Sequence, residues 1–295
     1  MSAVADPHGS PIVNPRARRR RLLRKRFLRR PVAVGGLFVV LGFVVLAVFA
    51  PWIAPHTSGF TDFNHVLAKP GGRYPLGTDE LGHDELSRII WGARSSMQVG
   101  VLATLLAMAI AVPIGMIAGY YRGWIDTVLA RATDVLLSFP FVILAVGLAA
   151  ILGPSLTNAT LALGIGAIPA FIRIARGETL ALREEDYVPA AIANGATDRT
   201  IIFRHILPNM TSTLLVQATL TIPGAIVGEA VLSFLGLGVQ PPQTSWGVML
   251  QTAQDYLSQA PRLAVFPGIA LVLAVLAFNV FGDGLRDILD PRTTR

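Results

Sequence analysis

The sequence predicts an all-α integral membrane protein with six transmembrane helices. Of its 295 residues, 53% are hydrophobic and only 15% are charged, which is the composition of a membrane protein. The apolar residues gather into six runs of about 18–25 residues, the length that a helix needs to cross a hydrocarbon core about 30 Å thick. The chain has no cysteine, so disulfide bonds and thiolate metal sites are excluded.

Residues 1–30 form a basic N-terminal tail. Nine arginines and one lysine lie between Arg16 and Arg30, with no acid among them. Such a run can bind nucleic acid. However, an apolar run follows directly, and basic residues beside a span hold that end in the cytoplasm, where they can also contact anionic membrane lipids. We therefore interpret residues 1–30 as a cytoplasmic tail, expect no nucleic-acid partner, and predict a first transmembrane helix over residues 31–54.

Residues 55–95 are polar and are predicted to form an extracytoplasmic loop. Four acids and one histidine lie close together in this loop: Asp79, Glu80, His83, Asp84 and Glu85. One histidine among acids at this spacing fits no standard set of metal ligands, so we expect no metal site. We interpret the acids as solvated charges, with Asp79 or Asp84 paired with Arg88 or Arg94.

Residues 96–283 are predicted to form a core of five further transmembrane helices. Their apolar runs are Met97–Tyr121, Leu136–Leu152, Thr157–Ala175, Thr211–Leu237 and Leu263–Phe281. A kink rather than a break is expected at Pro113, because membrane helices tolerate proline. A short loop of mixed charge is expected from Arg122 to Asp134. Residues 284–295 are predicted to be a short cytoplasmic tail.

A short helix is predicted between the last two spans, over residues 246–257, with Ser245 as its N-cap. One face of this helix is apolar. We interpret it as an interfacial or re-entrant helix outside the cytoplasm. It can contact a partner protein there, or it can simply anchor the chain at the membrane surface through Trp246 and Tyr256.

The polar segment of residues 186–209 lies between the fourth and fifth spans. Pro189 fits the first position of a helix, and Gly195 can end that helix in the left-handed conformation. Asp198 or Thr197 can then cap a second short helix. Arginines around this segment place it on the same side of the membrane as the N-terminus. The sequence thus predicts a compact cytoplasmic knob of two short helices joined by a glycine hinge, a shape that can fit a groove on another protein.

Three positions in this segment carry a family resemblance: Ala190-Ala191, then Gly195 four residues later, then Leu207-Pro208. This pattern resembles the EAA loop of the membrane subunits of bacterial ABC importers. Pro189 departs from the glutamate of the motif, and His205 departs from its isoleucine. In that family the loop is cytoplasmic, and its short coupling helix docks on an ATPase subunit.

Two further stretches resemble the dipeptide and oligopeptide permeases of the peptide/nickel branch: residues 75–95, in which His83 replaces the usual arginine, and residues 229–247. The resemblance covers most of the chain. It implies the type I ABC importer permease fold in the bacterial cytoplasmic membrane, with both termini in the cytoplasm. By position in the motif, it implies these ATPase-coupling residues: Tyr187, Pro189, Ala190, Ala191, Gly195, Ala196, Arg204, His205, Leu207 and Pro208.

The resemblance also implies partners: a second homologous permease, two ABC ATPase subunits and an extracytoplasmic substrate-binding protein. The chain has no nucleotide-binding P-loop, because neither of its two lysines, Lys25 and Lys69, stands in a Gly-Lys-Ser/Thr sequence. We therefore expect a non-catalytic subunit that binds no cofactor, with ATP and Mg on the partner ATPases. The implied substrates are di- or oligopeptides, with nickel chelates or glutathione as alternatives.

Polar residues within the fifth and sixth spans are candidates to line the translocation path: Gln217, Thr219, Thr221, Glu229 and Asn279. Glu229 is the one acid well inside a predicted span, where a charge is costly and points to function. Alternatively, it is protonated, or paired with a serine, threonine or arginine. A secondary transporter driven by an ion gradient would need ionisable residues in mid-membrane. Only Glu229 meets that requirement, so this class is kept as an alternative.

Overall fold

The computed structural model describes residues 30–289, and its regular secondary structure is helical. The predicted basic tail of residues 1–30, apart from Arg30, and the last six residues lie outside this range. The helices are α1 (Pro31–Ile53), α2 (Glu85–Tyr121), α3 (Gly123–Leu137), α4 (Phe141–Leu152), α5 (Leu156–Arg183), α6 (Tyr187–Ala193), α7 (Asp198–Thr200), α8 (Leu207–Phe234), α9 (Trp246–Ala253) and α10 (Arg262–Leu289). A π-helical segment, Ile201–Ile206, joins α7 to α8.

Five of these helical runs are long and apolar enough to cross a membrane: α1, α2, α5, the continuous run Asp198–Phe234, and α10. Helices α3 and α4 pass the same test only as a pair, and they meet at an angle of 88°. The described chain therefore has five candidate spans, or six if the bent pair is one. Helices α2, α5, α8 and α10 each continue through an internal proline, as expected for Pro113.

The loop predicted from Arg122 to Asp134 is wrong, because most of this stretch is helix α3. Its two aspartates face α5: Asp126 pairs with Arg176, and Asp134 lies 3.1 Å from Arg173. The two acids are eight positions apart, so they lie on the same side of a helix of 3.6 residues per turn. The mixed charge is thus one polar face of a helix. Helix α3 ends at Leu137, shortly before Pro140, which cannot donate a backbone hydrogen bond.

Helix α2 begins twelve residues before the predicted start of the second span. Asp84 caps it by accepting a hydrogen bond from the Ser87 amide at 3.2 Å. The polar residues 85–95 are therefore helical rather than part of a loop. Helix α2 packs along α1, α5 and α8, and its contact with α5 is the most extensive in the fold.

Helix α9 lies inside the protein, so the predicted membrane anchor at Trp246 is wrong. Trp246 is fully buried, packs edge-on against Phe43 of α1 and donates an indole hydrogen bond to the Ile89 carbonyl at 3.1 Å. The predicted N-cap is confirmed, since Ser245 accepts from the Val248 amide. Helix α9 thus links α1, α2 and α8 within the chain.

Replacing Gly115 by alanine is expected to loosen the contact between α2 and α5. A Cβ atom at this position would lie 2.7 Å from the Ala175 Cβ and 2.8 Å from the Ile172 carbonyl oxygen. Backbone atoms cannot move aside as a flexible side chain can, so the two helices would have to separate, at a cost of about 1–3 kcal/mol. Thermal unfolding in detergent measures this loss. Gly147→Ala is the control, because nothing lies within 4 Å of the methyl group that it would add; an equal loss in both variants would contradict the packing argument.

Candidate functional site

The segment of residues 186–209, predicted to couple the chain to an ATPase, folds as helix α6, a tight turn and the start of the run into α8. Gly195 ends α6 with a φ of 76°, in the left-handed region. Its amide donates to the Ile192 carbonyl at 2.9 Å, and the Ala196 amide donates to the Ala191 carbonyl at 3.0 Å. This pair of hydrogen bonds is the Schellman motif, which glycine allows at no steric cost.

Thr197 caps the next helical run, since its hydroxyl accepts from the Thr200 amide at 3.4 Å. The prediction of a separate second short helix is wrong. The π-helical turn leads into α8 without a break, and the Leu207 amide bonds to the Ile202 carbonyl five residues back. Pro189 is the third residue of α6 rather than the first, a position where the backbone N–H still has no partner within the helix.

Buried side chains fix this segment to the ends of α2 and α5. Val188, Ile201 and Ile206 are buried in one apolar cluster with Tyr120 and Ala175. The Tyr120 hydroxyl also donates to the Asp198 carboxylate at 2.8 Å. At the end of α5, Arg183 donates to the Tyr120 carbonyl oxygen at 2.5 Å and its guanidinium lies over the Tyr120 ring. The segment is therefore fixed directly to two long helices.

The outward side of the segment forms an exposed surface that we call the coupling face. Five of the predicted coupling residues are exposed on it, namely Pro189, Ala190, Gly195, Arg204 and Pro208. The other five are partly buried: Tyr187, Ala191, Ala196, His205 and Leu207. Two apolar residues that the sequence prediction missed, Ile192 and Phe203, are 54% and 52% exposed. Large apolar side chains in an otherwise polar loop were the available signal for them.

The structure does not bring the candidate path residues together on one face. Gln217 donates to the Thr221 hydroxyl at 3.2 Å, one turn further along α8. Thr219 instead lies against Gly282 of α10, and Asn279 is a partly buried residue of α10. These side chains therefore lie at separate places on α8 and α10 and do not form one lining.

Glu229 is fully buried within the chain, so it does not reach the surface of the subunit where a path would run. Its carboxylate accepts hydrogen bonds from Ser96 of α2 at 2.7 Å and from Ser233 of α8 at 2.6 Å. Of the alternatives given for Glu229, the structure therefore contains the pairing with serine. Glu229 thus ties α2 to α8 beside the start of α9.

Residues 54–84 form a compact cap over the starts of α2 and α10. Arg88 of α2 binds the Asp79 carboxylate and the Thr244 hydroxyl. Arg262 of α10 donates to the carbonyls of Leu67, Ala68 and Thr78. The predicted pairing of Asp79 with Arg88 is confirmed, but the expectation of solvated charges is wrong, because Asp79 is only 2% exposed.

The pKa values of two neighbouring acids in the cap are shifted in opposite directions. Burial opposes ionisation of Asp79, but the hydrogen bonds from His83 and the positive charge of Arg88 outweigh it and lower its pKa below the ordinary 3.8. Burial raises the pKa of Glu80, and the negative charge of Asp79 adds to this effect. The ionised form of Asp79 is therefore stabilised by its partners, whereas that of Glu80 is not.

Asp79→Asn is expected to destabilise the protein at neutral pH by about 3 kcal/mol, because it leaves Arg88 buried without its partner. The pKa of Asp79 is lower in the folded protein than the ordinary 3.8. The contribution of Asp79 to the free energy of unfolding is therefore complete above pH 3.8 and is lost as the pH falls through the pKa of the folded protein. The difference in melting temperature between the wild type and the variant should therefore shrink in acid. Glu80→Gln is the matched control and should cost nothing at neutral pH; a constant difference across the titration would refute the assignment.

Comparisons with known proteins agree with this architecture. The profile of the family described as binding-protein-dependent transport system inner membrane component matches residues 111–295. A second profile, the N-terminal transmembrane domain of oligopeptide transport permease C, matches residues 19–70. The fold is similar to that of the MetNI methionine ABC transporter in inward-facing crystal forms, with a TM-score of 0.57 at 20% identity over 68% of this chain and 96% of that one.

Characterised relatives are similar over almost their whole length. The chain is 42% identical over 268 residues to the dipeptide transport system permease protein DppC of Alkalihalophilus pseudofirmus, covering 91% of this chain and 88% of the relative. It is 44% identical over 270 residues to the glutathione transport system permease protein GsiD of Pectobacterium atrosepticum, covering 91% and 89%. These matches confirm the predicted resemblance: the chain belongs to the inner membrane components of binding-protein-dependent transport systems, as a multi-pass ABC importer permease of the peptide/nickel branch.

Proposed function

We propose that this permease forms, with a second homologous permease, the path by which dipeptides and peptides of similar size enter the cell. The coupling face carries the proposal, because it offers an exposed surface with two large apolar side chains, Ile192 and Phe203, and is fixed to two long helices. The names of the dipeptide and glutathione relatives support a short peptide as the substrate. Glutathione is itself a short peptide, so both names point to one chemical class.

Two contacts support six spans with both termini in the cytoplasm. Helices α2 and α5 end at the same place, where Arg183 meets Tyr120, so the chain has to cross back between them. Within the described residues, the bent pair α3–α4 is what remains for that crossing. Arg30 pairs with Asp287, so the first and last described turns lie at the same end, as an even number of spans requires.

In this proposal ATP and Mg are held by two partner ATPases that dock on the coupling faces of the two permeases. A substrate-binding protein delivers the peptide at the opposite end, where the cap of residues 54–84 lies. The chain itself serves as a conformational relay and performs no covalent chemistry. ATP binding moves the coupling face, and the helices fixed to it rock between inward-facing and outward-facing states.

Uptake in proteoliposomes tests the proposal. The assembled importer, reconstituted with its binding protein, should accumulate the labelled dipeptide Ala-Ala only when ATP is supplied to the ATPases, and an excess of unlabelled dipeptide should compete. Glutathione is the second substrate to measure. Uptake by this chain alone, driven by a proton or sodium gradient without ATP, would refute the importer proposal and favour the secondary transporter.

A further inference from the structure

A cavity of about 400 Å³ opens at the end of the bundle opposite the coupling face. We call it the outer cavity. It is lined by four parts of the chain: the cap, the second to fourth turns of α2, the start of α5 and the segment before α9. Its lining includes Trp91, Arg94, Ser95, Gln98, Gln243 and Thr244. Its volume lies in the range of small-molecule sites, which is about 300–1,000 Å³.

The floor of the outer cavity is held rigidly. The Trp91 indole donates to the His56 carbonyl at 3.1 Å, which fixes the ring against the cap. The buried Thr244 hydroxyl accepts from the Arg88 guanidinium, which in turn binds Asp79. Side chains that line this cavity therefore project from a fixed frame, which reduces the entropy cost of binding a ligand.

The polar groups that face the cavity have unused hydrogen-bonding capacity. Within residues 30–289, the side chains of Arg94, Ser95, Gln98 and Gln243 make no hydrogen bond or ion pair. The Arg94 guanidinium lies over the Trp91 ring, 5.8 Å from its centre, which orients the guanidinium without using its donors. Among the described residues that line the cavity, Arg94 is the only charged one.

These features favour an anionic ligand with a peptide group beside it. A guanidinium donates two parallel hydrogen bonds to a carboxylate, which is the strongest pairing available to it. Serine and glutamine can donate to and accept from an amide. No acid among the lining residues is available for an ammonium group. The chemistry therefore suits the carboxyl end of a short peptide and not its amino end.

We propose that the outer cavity is an entry subsite that binds the free C-terminal carboxylate of a short peptide through Arg94. The inference rests on the proposed peptide transport and adds to it a location and a specificity. The carboxylate would displace water from Arg94, and Ser95, Gln98 and Gln243 would bind the adjoining peptide group. The subsite lies about 40 Å from the coupling face, judged by the helical rise between Arg94 and Tyr120.

Thiol protection tests the subsite in the assembled importer. Because the chain has no cysteine, Ser58→Cys places one thiol in the cavity lining at a residue with no proposed part in binding, and Gln259→Cys places a control thiol on the exposed turn before α10. A membrane-impermeant maleimide is applied from outside, and labelling is measured on this subunit. Ala-Ala at about four times its Kd should slow labelling of the cavity thiol about fivefold and leave the control unchanged.

Three comparisons decide the outcome. Ala-Ala amide and inorganic phosphate should give little protection, and Arg94→Gln should remove the protection by Ala-Ala while Arg94→Lys keeps part of it. Equal protection by the amide or by phosphate, or unchanged labelling in an importer that takes up Ala-Ala, would overturn the subsite. Protection without any ATP-driven uptake would instead count against the proposed function and leave the subsite standing. Arg73→Gln, on the exposed side of the cap, is the matched arginine control.

Discussion

Replacing Gly195 by proline is expected to abolish ATP-driven uptake while the subunit still inserts into the membrane. Gly195 holds a φ of 76° and donates its amide to the Ile192 carbonyl. Proline fixes φ at about −65° and has no N–H. The turn that ends α6 could therefore not form, and the coupling face would lose its shape. Uptake of labelled Ala-Ala in proteoliposomes, with expression and ATPase co-purification measured in parallel, checks this result.

Graded variants at the same position separate backbone conformation from side-chain contact. Nothing lies within 4 Å of the position that a Cβ atom would take at Gly195, so there is space for a side chain there. Asparagine adopts the left-handed conformation readily, and Gly195→Asn should keep most of the uptake. Alanine should fall between asparagine and proline. Gly224→Ala, in an open position of α8, is the control; normal coupling in Gly195→Pro would show that this turn is not needed.

Replacing Glu229 by leucine is expected to reduce stability by about 3 kcal/mol or more, because the buried hydroxyls of Ser96 and Ser233 would both lose their acceptor. These hydroxyls lie on different helices, so the variant also weakens the contact between α2 and α8. Thermal unfolding in detergent measures the loss. Glu185→Leu, on an exposed turn, should change little.

Glu229→Gln distinguishes a structural role from transport chemistry. The amide keeps one acceptor oxygen for a serine, and the other serine can turn its hydroxyl to accept from the new N–H. Stability should therefore remain close to that of the wild type. If Glu229→Gln folds normally and transports normally, the carboxylate is a structural tie. A folded variant that has lost transport would instead restore Glu229 as a residue of the path.

The spans and the position of the coupling face could be predicted from the sequence because they depend on local features. Apolar length fixes where a helix can cross, and Gly195 marks a turn that few other residues can make. Charge obscures two helix starts in the sequence, at Gly123 and Glu85. Charged residues are typical of loops, but Asp126 and Asp134 are paired with arginines of α5.

Long-range pairing explains what the sequence could not predict. Tryptophan is a residue type that is common at membrane interfaces. The Trp246 indole nevertheless donates a hydrogen bond to the Ile89 carbonyl, 157 positions away. Ser96 and Glu229 are separated by 133 positions and meet only after α2 and α8 pack together. The outer cavity belongs to this group as well, since its lining comes from segments far apart in the chain, from Ser58 to Thr244.

The helical run from Asp198 to Phe234 is continuous, so it can transmit a tilt from one end to the other. Its 37 helical residues span about 55 Å at the usual rise per residue. Over such a length a tilt of about 10° at one end moves the other end by about 10 Å. Gly247 of α9 lies directly against Ala230 and Ser233 near the far end of the run. In the proposed function, a small rotation imposed at the coupling face would thereby become a displacement of several ångströms at the outer end of the helix.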